Sequence, residues 1–216
     1  MTDTISGQMT PLIYFLDLAG TFVFALSGGL AAARIRLDPF GFAVVAIVTG
    51  LGGGTLRNLL LDLHPVAWIA DPSYLIVCLA AAAVTFLFAR LLESRLLWLR
   101  IADALGLGLF AVAGTQIALG AGTHGGIAVM MGVTTAIAGG MIRDVLCNEV
   151  PLVLQKEIYA LAALLASTLY VLLDLWGAGT WLAAGAAFTA GTGLRLAAIR
   201  WNLSLPPYGS PKQRSP

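Results

Sequence analysis

Asp17, Arg57, Asp103 and Arg143 each stand inside an apolar stretch, where an ionised side chain is costly unless something satisfies it. Both types recur at one offset of 86 residues, Asp17 with Asp103 and Arg57 with Arg143. Asp17 lies near the start of its stretch and Arg57 near the end of the next, which places them at similar depth near one face of a bilayer. Asp103 and Arg143 repeat the arrangement at the other face. A carboxylate and a guanidinium at matched depth satisfy one another far more cheaply than either is satisfied alone. Two roles stay open for such pairs: a static bolt between helices, or a lock whose opening controls passage. Both arginines are expected to point inward, and, if the pairs are locks, neutralising either is expected to alter passage more than protein level.

The same offset joins Gly20 to Gly106, Phe24 to Phe110, Ala25 to Ala111, Gly28 to Gly114, Thr49 to Thr135, Leu60 to Leu146 and Pro65 to Pro151. Gly53 and Gly54 answer to Gly139 and Gly140. On a helix, Thr49, Gly53 and Arg57 share one stripe, and Gly50, Gly54 and Asn58 the next. The second copy gives Thr135, Gly139 and Arg143, then Ala136, Gly140 and Asp144. Gly50 and Gly52-Gly53-Gly54 strip side chains from mid-membrane. Such a run serves either close packing through small residues or a bent, unwound backbone facing a cavity. The polar Thr and Arg on the same stripe favour the cavity.

These residues need helices to carry them. Hydrophobic residues make up 59% of the 216 positions and charged ones 11%, well under the usual quarter or so. Apolar runs of about 20 residues match a hydrocarbon slab of roughly 30 Å. Seven occur, at 12–33, 40–61, 73–92, 101–120, 126–147, 157–175 and 180–200. The expected fold is an all-α polytopic membrane protein with seven transmembrane helices. A repeat displaced by three spans re-enters the bilayer from the opposite side, so 12–92 and 101–175 form two inverted three-helix repeats, with the span at 180–200 outside the symmetry. Segment 1–11 is the expected extracytoplasmic N-terminus and 205–216 a disordered, Pro-rich tail.

Grouping the cations by side puts Arg34, Arg36, Arg90, Arg95, Arg100, Arg143, Lys156, Arg195, Arg200, Lys212 and Arg214 on one face and Arg57 alone on the other. Positive-inside then places the C-terminus in the cytoplasm and the N-terminus outside. The first 11 residues carry no Lys or Arg, so a cleaved leader is not expected, although Ala31-Ala32-Ala33 mimics a cleavage site. A net charge of +1 with scattered cations gives no surface for nucleic acid.

The remaining candidates carry less. Cys78 and Cys147 have no metal or redox spacing and read as core residues. His64 and His124 lack an acidic cluster, so no metal is expected. Asp38-Pro39 and Asp71-Pro72 read as helix starts, Lys156-Glu157 as a solvated rim, and Gly191-Thr192-Gly193 as close packing. Trp68, Trp98, Trp176, Trp181 and Trp201 fall near span ends, as in an aromatic belt. No nucleophile with a base, Walker loop or catalytic carboxylate pair is present, so no enzyme and no cofactor are expected.

Asp17-Leu-Ala-Gly-Thr-Phe-Val-Phe-Ala-Leu-Ser-Gly28, Gly52-Gly-Gly-Thr-Leu-Arg-Asn58 and Gly139-Gly-Met-Ile-Arg-Asp144 closely resemble the prokaryotic members of the trimeric intracellular cation channel family, also classed as a glycine transporter-like family. The resemblance runs from the first span to the seventh. It implies a homotrimer in the bacterial plasma membrane, each protomer enclosing its own pore, lined by spans 1, 2, 4 and 5 and kinked at Gly52, Gly53, Gly54, Gly139 and Gly140. The permeating ions implied are potassium and sodium. Two departures stand out: Asn58 follows Arg57 where Asp is expected, and Ala138-Gly139-Gly140 replaces three glycines. The functionally important Lys of the animal relatives near the span 5 kink is missing, its first basic residue being Arg143, which argues against lipid-phosphate regulation of the animal type.

As a channel, the chain would pass potassium along a wet path on which carbonyls at the glycine breaks replace part of the hydration shell. The Asp–Arg pairs keep the path locally neutral, and moving one charge through the field is worth about 2.3 kcal/mol per 100 mV. The rival is a secondary transporter of a small solute such as glycine, with Thr49 and Thr135 beside the substrate. A non-conducting scaffold is the third class.

Overall fold

The computed structural model describes residues 11–91, 94–155 and 158–204. The N-terminal segment, the Lys156-Glu157 rim and the tail from 205 lie outside the described residues. Eight α-helices follow in order among those described: α1 (Pro11–Arg34), α2 (Pro39–Leu60), the short α3 (Ala67–Ala70), α4 (Ser73–Phe88), α5 (Arg95–Gly120), α6 (Gly125–Leu146), α7 (Ala160–Leu175) and α8 (Thr180–Trp201). A 3-10 turn extends α4 to Leu91, and another, Leu152–Leu154, stands where α3 stands in the first half.

Six helices are long and apolar enough to cross a membrane; α7, at 16 residues, is the shorter apolar seventh. The helix starts follow from local chemistry. Asp38 caps α2, its Oδ1 accepting from the Gly41 N–H at 2.7 Å with Pro39 at the first helical position. Asp71 accepts from the Ser73 N–H at 2.9 Å before α4, and that backbone bond is the largest influence holding its carboxyl below the ordinary range. The fourth span starts earlier than its apolar run predicts, at Arg95 and not near 101. Ser94 caps it by accepting from Leu97 N–H, and Arg95 and Arg100 are long enough to carry their charges at the helix end.

α1 and α5 are the most enclosed helices and cross at the centre. Where they cross, a Cβ on Gly20 would meet the Phe110 ring at 2.6 Å, and a Cβ on Gly106 would meet the Phe24 ring at 2.8 Å. Advancing along α1 therefore means retreating along α5. The same exchange joins α2 to α6, where Gly53 faces Thr135 and Gly139 faces Thr49. Each contact recurs with the halves swapped, which is the mark of a two-fold axis, and Phe24 stacks on its own counterpart Phe110 with centroids 5.1 Å apart. The two triplets α1–α2–α4 and α5–α6–α7 are thus inverted copies. α8 packs against α5 and α7, with Gly191 against Ala162 and Ala166 and Thr192 against Gly108. Outward faces carry Phe15, Phe40, Ile76, Leu87 and Leu182 among other exposed apolar side chains, and Trp98, Trp176, Trp181 and Trp201 sit exposed at helix ends.

Candidate functional site

The Asp–Arg pairs expected from the repeat are present. Arg57 donates to both oxygens of Asp17, at 2.9 and 3.3 Å, and Arg143 donates to Asp103 at 2.7 Å; both arginine side chains are 0% exposed. Each pair joins neighbouring helices of one triplet, α1 to α2 and α5 to α6. Asn58 and Asp144 take the next place in the same way: Arg57 Nε donates to Asn58 at 2.9 Å and Arg143 Nε to Asp144 at 2.8 Å. The missing charge at Asn58 therefore leaves the hydrogen bond intact. Its amide nitrogen is another matter. Asp144 uses its second oxygen to accept the Leu152 N–H at 2.9 Å, whereas Asn58 presents a donor there that is buried and finds no acceptor.

Two tyrosines complete the clusters and escaped the sequence reading. Tyr74 donates its hydroxyl to Asp17 at 3.1 Å. Tyr159 holds the matching place by Asp103, and its hydroxyl and Asp103 Oδ1 lie 3.0 and 3.3 Å from where a Cβ on Gly140 would stand. The two tyrosines are separated by 85 residues and not 86, so a register held at the longer interval passes over them. Replacing Tyr74 with Phe is expected to lower stability by about 1.5–3 kcal/mol, the usual worth of a hydrogen bond to a charged group, readable as a lowered melting temperature. An unchanged melting temperature would show that the hydroxyl contributes nothing to the pair.

The two clusters are unequal. Arg143 also donates to Ser27 of the opposite triplet, while the position matching Ser27 is Ala113. The fully buried Arg195 of α8 lies over the Tyr159 ring, 4.9 Å from its centroid. Asp17 and Arg57 cancel in one cluster; Asp103, Asp144, Arg143 and Arg195 cancel in the other.

Between the clusters, α2 and α6 run unbroken through their glycines. The backbone does not unwind at Gly52-Gly53-Gly54 or Gly139-Gly140, contrary to the exposed carbonyls expected there. Absent side chains are used for contact instead: a Cβ on Gly53 would fall 2.2 Å from the Thr135 carbonyl oxygen, and one on Gly139 2.2 Å from that of Thr49. Gly50 likewise abuts the Thr21 carbonyl of α1. Thr49 and Thr135 each donate to the carbonyl four residues back, Val45 and Met131, both at 2.6 Å, and fit notches left by Gly28 and Gly114. On the Arg57 side a cavity of about 10 Å³, room for one water, lies among Asp17, Thr21, Gly54, Arg57, Trp68 and Tyr74. Among the described residues no group of three His, Cys, Asp or Glu is placed to hold a metal.

A family model described as a glycine transporter matches the chain twice, over residues 14–90 and 100–175, once for each triplet. A UPF0126 membrane protein of Vibrio cholerae is 42% identical over 97% of this chain and 88% of its own length. The UPF0126 inner membrane protein YadS of Escherichia coli is 40% identical over 91% and 96%. Among solved structures, the TRIC trimeric intracellular cation channel orthologue from Rhodobacter sphaeroides superposes with a TM-score of 0.87 at 44% identity, covering 90% of this chain and all of that one. With both triplets matched and the relatives covered nearly end to end, the chain belongs to the UPF0126/TRIC family of polytopic membrane proteins.

Proposed function

We propose that this protein is a monovalent cation channel of the bacterial inner membrane, passing potassium and sodium through a path inside each protomer of a homotrimer. The observation that carries the reading is the two-fold crossing of α2 and α6, bare of side chains at Gly53 and Gly139 and flanked on both sides by a neutralised Asp–Arg cluster. Near-complete superposition on a cation channel at 44% identity supports it. Backbone touches backbone at the crossing, so this conformation is shut. Separation of α2 from α6 opens it, bringing Thr49, Thr135 and Gly50, Gly52, Gly54 and Gly140 to the border of the path. Arg57 and Arg143, held by Asp17 with Asn58 and by Asp103 with Asp144, set how readily the helices part. The charge distribution orients the N-terminus outward and the C-terminus to the cytoplasm.

Planar-bilayer recording of the purified protein in symmetric potassium chloride is expected to give discrete unitary currents. Saturable, gradient-driven glycine uptake into liposomes without such currents would replace the channel with a carrier. That second reading rests on the glycine-transporter description of the matching family model. Absence of both signals would leave a scaffold.

A further inference from the structure

Beside the α1–α2 link, away from both Asp–Arg clusters, lies a pocket of about 410 Å³ lined by Arg36, Arg90 and Arg95 over a floor of Phe42, Phe86 and Ala89. No acidic side chain is among the described residues lining it. Arg95 is fixed: its guanidinium donates to the Ala89 carbonyl at 3.0 Å and the Ala33 carbonyl at 3.2 Å, tying the ends of α4 and α1 together. Arg36 and Arg90 are exposed at the rim. Three cations converging on an uncharged floor make a seat for an anion with several oxygens.

Ala89 belongs to the walls of both this pocket and a second feature beside it. An apolar groove of about 310 Å³ runs between α1, α4 and α5, lined by Leu26, Leu30, Val84, Phe88 and Leu105 together with Val23. Val23 to Leu30 covers about 10 Å along α1. A free anion has no use for such a groove, whereas a hydrocarbon chain attached to the anion fills it. We propose that this paired pocket and groove bind one anionic phospholipid, its phosphate on Arg36, Arg90 and Arg95 and an acyl chain along α1 and α4. Basic pockets between helices at the cytoplasmic side are where anionic lipids are held in membrane proteins. The site is distinct from the conduction path, and its occupancy does not depend on whether the protomer conducts.

The test is native mass spectrometry of the purified full chain in detergent, offered phosphatidylglycerol or phosphatidylcholine with the same acyl chains. Phosphatidylglycerol is expected to be retained preferentially. Each exposed arginine removed is expected to cost about fivefold, so R36Q/R90Q reduces retention about 25-fold, toward the phosphatidylcholine level. R36K/R90K, which keeps both charges, is expected to retain most of the preference and excludes misfolding as the cause of the loss. Equal retention of the two lipids by the wild-type protein, or an undiminished preference in R36Q/R90Q, overturns the proposal. Displacement of bound phosphatidylglycerol by millimolar inorganic phosphate also overturns it, leaving a site for a free anion.

Discussion

Arg143→Met is expected to remove most folded protein from the membrane and to lower the melting temperature of what remains by more than any other single substitution in the two clusters. Arg143 stands 0% exposed between Asp103 and Asp144, with Ser27 on the same guanidinium. Without it, two buried carboxylates lose their shared cation. Breaking a buried ion pair by removing one partner costs about 3–5 kcal/mol, comparable with the whole stability of many domains. Arg57→Met is expected to cost less, because it strands one carboxylate that still accepts from Tyr74. The neutral pair Asp17→Asn with Arg57→Met is expected to recover much of that loss, since neither charge is then left alone. Thermal unfolding of the single and paired variants measures the difference. If Arg143→Met unfolds no more easily than Arg57→Met, the proposed imbalance between the clusters is wrong. Sequence reasoning expected neutralisation to act on gating more than on protein level. Complete burial and the number of partners favour the opposite order, which protein level and thermal unfolding decide, and the paired variant is the one in which to look for altered open probability.

The second large effect belongs to the helix crossing. Gly53→Ala and Gly139→Ala each drive a methyl group to 2.2 Å from a backbone oxygen of the opposite helix, and backbone cannot swing aside as a side chain can. Overpacking of this kind costs about 1–3 kcal/mol and sometimes more. The strain is relieved if α2 and α6 move apart, so both variants are expected to raise open probability or leak in bilayer recordings. Their neighbours supply the control. A Cβ on Gly54 meets nothing nearer than Arg57 Nη2 at 3.6 Å, and one on Gly52 meets the flexible tip of Ile142 at 3.0 Å and the Gly139 Cα at an ordinary 3.7 Å. Gly54→Ala is expected to leave the shut crossing in place, so that open probability and leak stay at the wild-type level, and to stabilise the helix by up to about 1 kcal/mol. Equal behaviour at positions 53 and 54 would refute the crossing as the closed point.

Much of this was legible in the chain because burial makes charge informative. Asp17, Arg57, Asp103 and Arg143 had to find partners in hydrocarbon, and matched depth left little choice of which. The inverted triplets followed from the same offset. What escaped had a physical reason each time. Tyr74 and Tyr159 slipped by one residue because Tyr74 follows Arg57 by 17 positions and Tyr159 follows Arg143 by 16, Tyr74 standing inside α4 and Tyr159 just ahead of α7. Ser27 could not be seen as a partner because its mirror position, Ala113, has no hydroxyl. Arg195 was counted with the charges of one membrane face, yet it folds inward over Tyr159. The glycines were ambiguous from the start. Deleting a Cβ permits a bend and a close approach alike, and only the packing of the facing helix distinguishes them.

α8 fastens to one triplet and has no counterpart on the other among the described residues, so the near-symmetry of the two halves does not extend to the ends of the proposed path. One entrance is braced by a cation stacked on a ring and by a second carboxylate; the opposite one is not. On the proposed path, an ion leaving the cell and an ion entering it would meet those obstacles in reverse order. Under equal salt on both sides, inward and outward currents at opposite voltages of the same size are then expected to differ, a weak rectification that bilayer recording reads.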